Sequence, residues 1–351
     1  MSARQHDIWT SIAGVVMVMS QVLSAADETT DKGLRTLTVS TVQAQSLVMS
    51  PDGKVVFIGW SGGALESFDF TTGKKLHAFV GHSKHEYVTC LAVSPDGNML
   101  ASGASDGIIK LWSSVTGKAL RTLEDHDGAL TVVAFAAEGK KLLSSGYDIT
   151  VRLWDVQTGQ LERVYEDVGP AWDFALSGDG KSIIAAGGPG GATVLERDTG
   201  KVLRRVETEF GGGDRAAISP ARSRVLLCRG AAVDLVAVKT GKILRTYTQG
   251  NEAPDREITS INVSADWRVF VCGSRDGTVR MWDVGSGAVL QTVRVGGDVN
   301  AAVFAGDVCL SVVIGVDDKV LVWSPAKAEA TSKAGEHHQS KNTDATSKPA
   351  E

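Results

Sequence analysis

The chain of 351 residues has a mass of 36.9 kDa, and its 43% hydrophobic and 22% charged residues exclude a disordered or collagen-like protein. Its formal charge of −5, without any long run of Lys and Arg, argues against nucleic-acid binding. The four cysteines form no Cys-x-x-Cys pair, so a zinc, redox or haem site is not expected and no cofactor is predicted; they are Cys90, Cys228, Cys272 and Cys309.

The first 26 residues have the order of segments found in a secretory signal peptide. A short polar start is followed by an apolar stretch from Ile8 to Leu23 and by the small residues Ser24 and Ala26. The sequence therefore predicts cleavage near Ala26, a linker over 27–33 and a secreted or periplasmic protein. An uncleaved membrane anchor is the alternative. No second apolar run is long enough to span a membrane, so no span is expected after signal removal.

Most of the remaining chain repeats with a period near 42 residues. Each repeat has a hydrophobic residue five positions before a glycine, at intervals of 44, 42, 41, 41 and 46 residues, and a final interval of 41 residues leads to a seventh copy without the glycine. Intervals of this length predict one structural unit per repeat. The anchors are Phe68, Trp112, Trp154, Leu195, Val236, Trp282 and Trp323.

Each unit reads as a meander of four short strands. In the second unit, apolar runs are separated by turns at 94–97, at Asp106-Gly107 and at Thr116-Gly117. Such a meander has two apolar faces, so copies are expected to pack face to face around an axis.

The sequence here resembles the WD40 repeat β-propellers. Trp154-Asp155 and Trp282-Asp283 match the dipeptide that names the family, and Gly81-His82 matches its Gly-His dipeptide. The resemblance implies an all-β fold over 34–325, a seven-bladed β-propeller of four-stranded antiparallel blades. The run at Leu34–Val39 resembles the outer strands, and we expect it to complete the last blade. The polar residues 326–351 are predicted to be a disordered tail.

Two patterns imitate catalytic motifs. The stretches at 59–63 and 103–107 match Gly-x-Ser-x-Gly, but both lead into a strand and not into a helix, which argues against a hydrolase nucleophile. Two sets of triad-like residues also recur, and the resemblance implies that they form structural hydrogen-bonded networks within their blades. The two sets are His82, Ser102, Asp106 and Trp112, and His126, Ser144, Asp148 and Trp154. No catalytic residue and no metal site is predicted.

Protein recognition is the predicted function: a non-catalytic scaffold, expected to be a monomer, that presents a propeller rim to a protein or peptide partner and binds no nucleic acid. Exposed aromatic and Arg side chains on rigid loops are the usual anchors of such contacts. A propeller enzyme, either a hydrolase or a quinoprotein-like oxidoreductase with an axial site, is the alternative, and a purely structural spacer is a third. The candidate partner-binding residues are Trp60, Tyr87, Thr89, Tyr147, Trp172, Arg215 and Arg275.

Overall fold

The computed structural model describes most of the predicted repeat region. Its described residues are 34–39, 43–166, 168–169, 171–177, 180–187, 191–206, 215–219, 221–248, 257–264, 266–295, 298–305, 308–310, 313–314 and 319–323. The predicted signal peptide, linker and tail lie outside them. Within the described part of the chain, no helix is both long and apolar enough to cross a membrane.

The architecture is an all-β propeller with six four-stranded antiparallel sheets, which we number as blades 1 to 6. The strand β1 spans Leu34–Val39 and belongs to none of them. Blade 1 comprises β2 (Ala44–Met49), β3 (Val55–Trp60), β4 (Leu65–Asp69) and β5 (Lys75–Phe79). Blade 2 comprises β6 (Val88–Val93), β7 (Met99–Ala104), β8 (Ile108–Ser113) and β9 (Ala119–Glu124). Blade 3 comprises β10 (Leu130–Ala136), β11 (Lys141–Gly146), β12 (Val151–Asp155) and β13 (Leu161–Tyr165), with a short 3-10 turn at Ala137–Gly139.

The second half of the chain repeats this order. Blade 4 comprises β14 (Asp173–Leu176), β15 (Ser182–Ala186), β16 (Ala192–Glu196) and β17 (Val202–Val206). Blade 5 comprises β18 (Ala216–Ile218), β19 (Arg224–Arg229), β20 (Ala232–Ala237) and β21 (Ile243–Thr248). Blade 6 comprises β22 (Ile258–Val263), β23 (Val269–Ser274), β24 (Thr278–Asp283) and β25 (Val289–Arg294).

The prediction of seven four-stranded blades is wrong, because the described residues form six. The strands that follow blade 6 lie in two smaller sheets: β26 (Val303–Ala305) pairs with β27 (Val308–Leu310), while β28 (Val313–Ile314) and β1 flank β29 (Lys319–Trp323). The expected antiparallel pairing of β1 with β29 is present. However, four or five residues separate the first two strands in each of the six blades, whereas only two separate β26 from β27.

Local turn chemistry explains why each repeat folds as a meander. In blade 2, the Ser94 hydroxyl donates to the Asp96 carboxylate and accepts from the Met99 backbone N–H at 2.9 Å. In blade 3, Asp155 of the Trp-Asp dipeptide accepts from the backbone N–H of Thr158 at 2.7 Å and from its hydroxyl at 2.9 Å. Gly159 follows with φ of +78°, a conformation that glycine adopts without steric cost.

The apolar core lies between neighbouring blades. Phe79 of blade 1 packs edge-on against Trp112 of blade 2, with ring centroids 5.7 Å apart. Burial of such a large side chain stabilises the fold by about 1.5–3 kcal/mol. Hydrogen bonds also cross the seams: the Ser46 hydroxyl donates to the Val88 carbonyl at 2.6 Å, and the Tyr247 hydroxyl donates to the Val284 carbonyl at 2.7 Å. The blades are thereby held in fixed relative positions.

Candidate partner-binding face

The network predicted for blade 3 is complete. The Trp154 indole Nε1 donates to Ser144 Oγ at 2.8 Å, and Ser144 Oγ lies 2.7 Å from His126 Nε2. His126 Nδ1 lies 2.8 Å from Asp148 Oδ2. Because the carboxylate is only an acceptor, Nδ1 carries the proton and Nε2 accepts from the Ser144 hydroxyl. Each side chain of this hydrogen-bonded network therefore has a polar partner.

Burial sets the charge states in this network. Desolvation lowers the pKa of His126 although the neighbouring Asp148 favours the charged ring, so the imidazole is neutral at pH 7. Desolvation alone would raise the pKa of Asp148, but His126 and the hydrogen bonds from Thr150 lower it below its ordinary value. The carboxylate is therefore ionised, and it orients the neutral ring.

The network predicted for blade 2 is incomplete. His82 Nε2 lies 2.7 Å from Ser102 Oγ, and the Trp112 indole donates to the same oxygen at 2.8 Å. However, His82 Nδ1 is buried without a hydrogen-bond partner, and Asp106 instead accepts from the Ile108 backbone N–H at 3.0 Å. The predicted link between Asp106 and His82 is therefore wrong, because the carboxylate caps its own turn.

A basic residue that was not among the predicted site residues lies four positions after the turn aspartate in blades 2, 3 and 6. Arg152 Nη2 lies 3.4 Å from Asp148 Oδ2, and its Nη1 lies 3.0 Å from Asp125 Oδ2. In blade 6, Arg280 Nη2 lies 4.0 Å from Asp276 Oδ2. The spacing Asp-x-x-x-Arg or Lys, visible in the sequence of three blades, was the available signal.

The buried serines are unsuited to catalysis. Ser102 and Ser144 are both 0% exposed, so a substrate has no access to either hydroxyl. A cleft of about 370 Å³ lies between blades 3 and 4, but its lining is made of charged and aliphatic side chains without a histidine, serine or cysteine. Among the described residues, no group of three or more His, Cys, Asp or Glu side chains could hold a metal ion.

Three predicted partner-binding residues from different blades come together in one cluster. Tyr147, in the turn between β11 and β12, is 63% exposed and meets the Trp172 ring edge-on with centroids 6.5 Å apart. The Arg215 guanidinium lies over the Trp172 ring, 4.2 Å from its centroid. Arg215 Nε also donates to the Thr259 carbonyl at 2.6 Å, which ties the cluster to blade 6. We call Tyr147, Trp172 and Arg215 the aromatic cluster.

The other predicted residues have different surroundings. Trp60 is only 2% exposed in the core of blade 1, so its expected place on the partner-binding surface is wrong: its ring packs among apolar side chains. Tyr87 is half-buried and bridges to Ser61, and the Thr89 hydroxyl donates to the Gly103 carbonyl at 3.2 Å. Arg275 is 59% exposed, and its Nε lies 3.2 Å from Glu257 Oε2.

A strained residue that was not predicted as a site residue lies in the same turn as Tyr147. Ile149 has φ of +59° and is 50% exposed. Gly107 and Gly277 occupy the same turn position in blades 2 and 6, with φ of +81° and +72°. The left-handed region is unfavourable for a β-branched side chain. The only signal in the sequence was Asp-Ile where the other two turns have Asp-Gly.

Comparisons with known proteins agree with the repeat and the fold. The family profile described as WD domain, G-beta repeat matches residues 73–113, 117–155 and 241–283. The crystal structure of the RRP9 WD40 repeats superimposes with a TM-score of 0.73 and 21% identity, covering 83% of this chain and 97% of that one. The structure of U3-55K gives a TM-score of 0.72 and 21% identity, covering 83% and 98%. At this identity the likeness shows the fold alone.

One curated relative bears on two expectations, the location and the absence of nucleic-acid binding. The ribosome biogenesis protein bop1 of Danio rerio is 39% identical over 71 residues, which are 20% of this chain and 9% of that protein. Its name contradicts the predicted secreted or periplasmic location, because ribosome biogenesis takes place inside the cell, and the comparisons give the signal peptide no support. Ribosomes contain RNA, so this name also leaves the expected absence of nucleic-acid binding unsupported. Three segments of this chain therefore match the WD domain, G-beta repeat profile, and its fold is that of the solved WD40 propellers.

Proposed function

We propose that the protein is a non-catalytic scaffold that binds a protein partner at the end of the propeller carrying the aromatic cluster. The observation that carries this proposal is the meeting of Tyr147, Trp172 and Arg215, from three successive blades, at one partly exposed place. Tyr, Trp and Arg side chains dominate the energetic centres of protein interfaces. The hydrogen-bonded seams hold these blades rigidly, so little ordering entropy opposes binding.

A site-specific photo-cross-linking experiment on the full chain tests this proposal. A photoreactive phenylalanine analogue replaces Tyr147 in one sample. In a matched sample it replaces Val115, which is 64% exposed in the turn between β8 and β9. Successive hairpin turns lie at opposite ends of an antiparallel blade, so these positions sample the two ends of the ring.

We expect discrete protein adducts from position 147 and none of the same mass from position 115. Equal yields from both positions would contradict a specific face. An absence of adducts at both would favour a structural spacer, and adducts containing RNA instead of protein would overturn protein recognition at this end.

A further inference from the structure

The turn between β11 and β12 holds an apolar side chain in an unfavourable conformation at the surface. Ile149 has φ of +59° where blades 2 and 6 have glycine. A non-glycine residue in this region costs on the order of one to a few kcal/mol, and such strain is concentrated at functional sites. Half of the isoleucine side chain is exposed, so packing within the fold does not account for its presence.

Ile149 lies in the same turn as Tyr147 of the aromatic cluster, and both residues are exposed. Tyr147, two residues earlier in the same turn, is 63% exposed. Its ring contacts the Trp172 ring, and the Arg215 guanidinium lies over that same Trp172 ring. An aromatic and an aliphatic side chain on one rigid turn can accept an apolar residue from a partner, and the Arg215 contact shows that a cation is accommodated on these rings.

Negative charge adjoins this apolar turn. The backbone N–H of Asp127 donates to Asp148 Oδ2 at 3.2 Å, and the exposed side chains of Asp125 and Asp127 lie in the loop that enters blade 3. Arg152 is paired with both Asp125 and Asp148, at 3.0 and 3.4 Å. His126 is neutral, so the three carboxylates of Asp125, Asp127 and Asp148 and the one guanidinium of Arg152 give this region a net charge of about −2.

We infer that this turn binds a basic segment of a partner protein, with a Lys or Arg beside Asp127 and an apolar side chain on Tyr147 and Ile149. The inference rests on the proposed scaffold function and adds the chemistry of the partner. Opposite charge steers such a segment to the turn, and the apolar pair provides the buried contact. A nucleic-acid phosphate backbone has the wrong charge for this loop.

A phage-displayed library of random 12-residue peptides, selected on the full-length protein, tests the partner chemistry. The enriched peptides are synthesised and their affinities are measured by fluorescence anisotropy, with a labelled single-stranded RNA 12-mer as a second probe. I149G, Y147A and D127K are compared with R222G. Arg222 also has a positive φ, of +55°, but lies in the turn between β18 and β19, at the other end of its blade.

We expect enrichment of peptides that combine Lys or Arg with an aromatic or large aliphatic residue, and weakening of binding by about tenfold in Y147A and D127K. I149G should weaken binding about fivefold while raising the Tm by about 2 °C, because glycine relieves the strain. R222G should raise the Tm similarly and leave affinity unchanged. Loss of binding together with a lowered Tm in I149G would contradict the inference.

The remaining outcomes separate the inference from the proposed function. Enrichment of acidic or neutral peptides whose binding depends on Tyr147 would contradict the inference that the partner segment is basic. It would not contradict the proposed scaffold function. Tighter binding of the RNA probe, lost in Y147A, would overturn both. If selection on the wild-type protein enriches no peptides beyond those enriched on Y147A, the inference is wrong.

Discussion

Ser144 is the single side chain on which the blade 3 network depends. Its hydroxyl accepts from the Trp154 indole and donates to His126, and it is 0% exposed. In blade 6, Cys272 occupies the equivalent position, opposite Arg280 as Ser144 is opposite Arg152. The Trp282 indole there is buried without a hydrogen-bond partner. The two positions differ only in the oxygen of serine and the sulfur of cysteine, and only the Trp154 indole has a hydrogen-bond partner.

Exchanging these two residue types should change stability in opposite directions. S144C removes the acceptor of one buried N–H and the donor to an imidazole, and we expect a loss of about 2–4 kcal/mol in the free energy of unfolding. C272S offers the Trp282 indole an acceptor and should be neutral or stabilising by up to ~1 kcal/mol. Urea titrations followed by tryptophan fluorescence measure both values. Destabilisation by C272S similar to that by S144C would contradict this account.

His82 makes the stability depend on pH. Burial, together with the nearby Lys110 charge, lowers the pKa of His82 from 6.5 to about 4. Between these values the unfolded chain binds more protons than the folded one, so stability is full above pH 6.5 and decreases as the pH falls towards 4. At pH 4.5 the protonation of this residue alone should lower the free energy of unfolding by about 2–3 kcal/mol relative to pH 7.5.

The H82Q variant isolates this contribution. Urea titrations at pH 7.5 and 4.5 should show a smaller difference in unfolding free energy for H82Q than for the wild type. H85Q serves as the control, because His85 is exposed in the same loop, and its pH dependence should equal that of the wild type. An unchanged pH difference in H82Q would mean that protonation of His82 does not drive the acid destabilisation.

At the scale of elements, the sequence predicts strands and turns better than it predicts contacts between them. The period and the Thr-Gly or Ser-Gly turns indicate the hairpins of all six blades, including blade 5, where Val236 replaces Trp. The three residues of the aromatic cluster were named separately among seven candidates, but their contacts with one another depend on how neighbouring blades meet and were not predicted. Trp60 shows the limit, because a residue at the end of a strand can turn into the core or out to solvent. The seams between blades depend on contacts that are distant in sequence.

Removal of the Tyr247 hydroxyl tests the contribution of one contact between blades to stability. It donates to the Val284 carbonyl at 2.7 Å, across the boundary between blades 5 and 6. We expect Y247F to lower the free energy of unfolding by about 1 kcal/mol, since the ring remains and only the buried carbonyl loses its partner. Y147F removes an exposed hydroxyl and is the matched control, expected to have no effect. Equal Tm values for the two variants would show that this seam bond does not contribute to stability.

At the scale of the whole molecule, the closing segment is the part that sequence reasoning predicted least well. The anchor Trp323 indicated a seventh blade, yet β28 has only two residues and β26 and β27 form a separate sheet. Blade 1 nevertheless has a partner there: Val320 is buried within its core, and Ala301 and Val303 pack against it. The interval of 41 residues indicated the position of the last unit. It did not indicate how the strands of that unit pair with one another.

The pairing of β1 with β29 joins the two ends of the described chain. Leu34 lies opposite Trp323 and Val39 opposite Lys319, in an antiparallel register. Without β1, the edge of β29 would present unpaired backbone donors and acceptors to other chains. We therefore expect deletion of Leu34–Val39 to lower the Tm and to produce oligomers in size-exclusion chromatography with light scattering. Deletion of 326–351, the polar segment predicted to be disordered, is the control and should leave both properties unchanged. A monodisperse protein with an unchanged Tm after removal of β1 would show that the ring is stable without this closure.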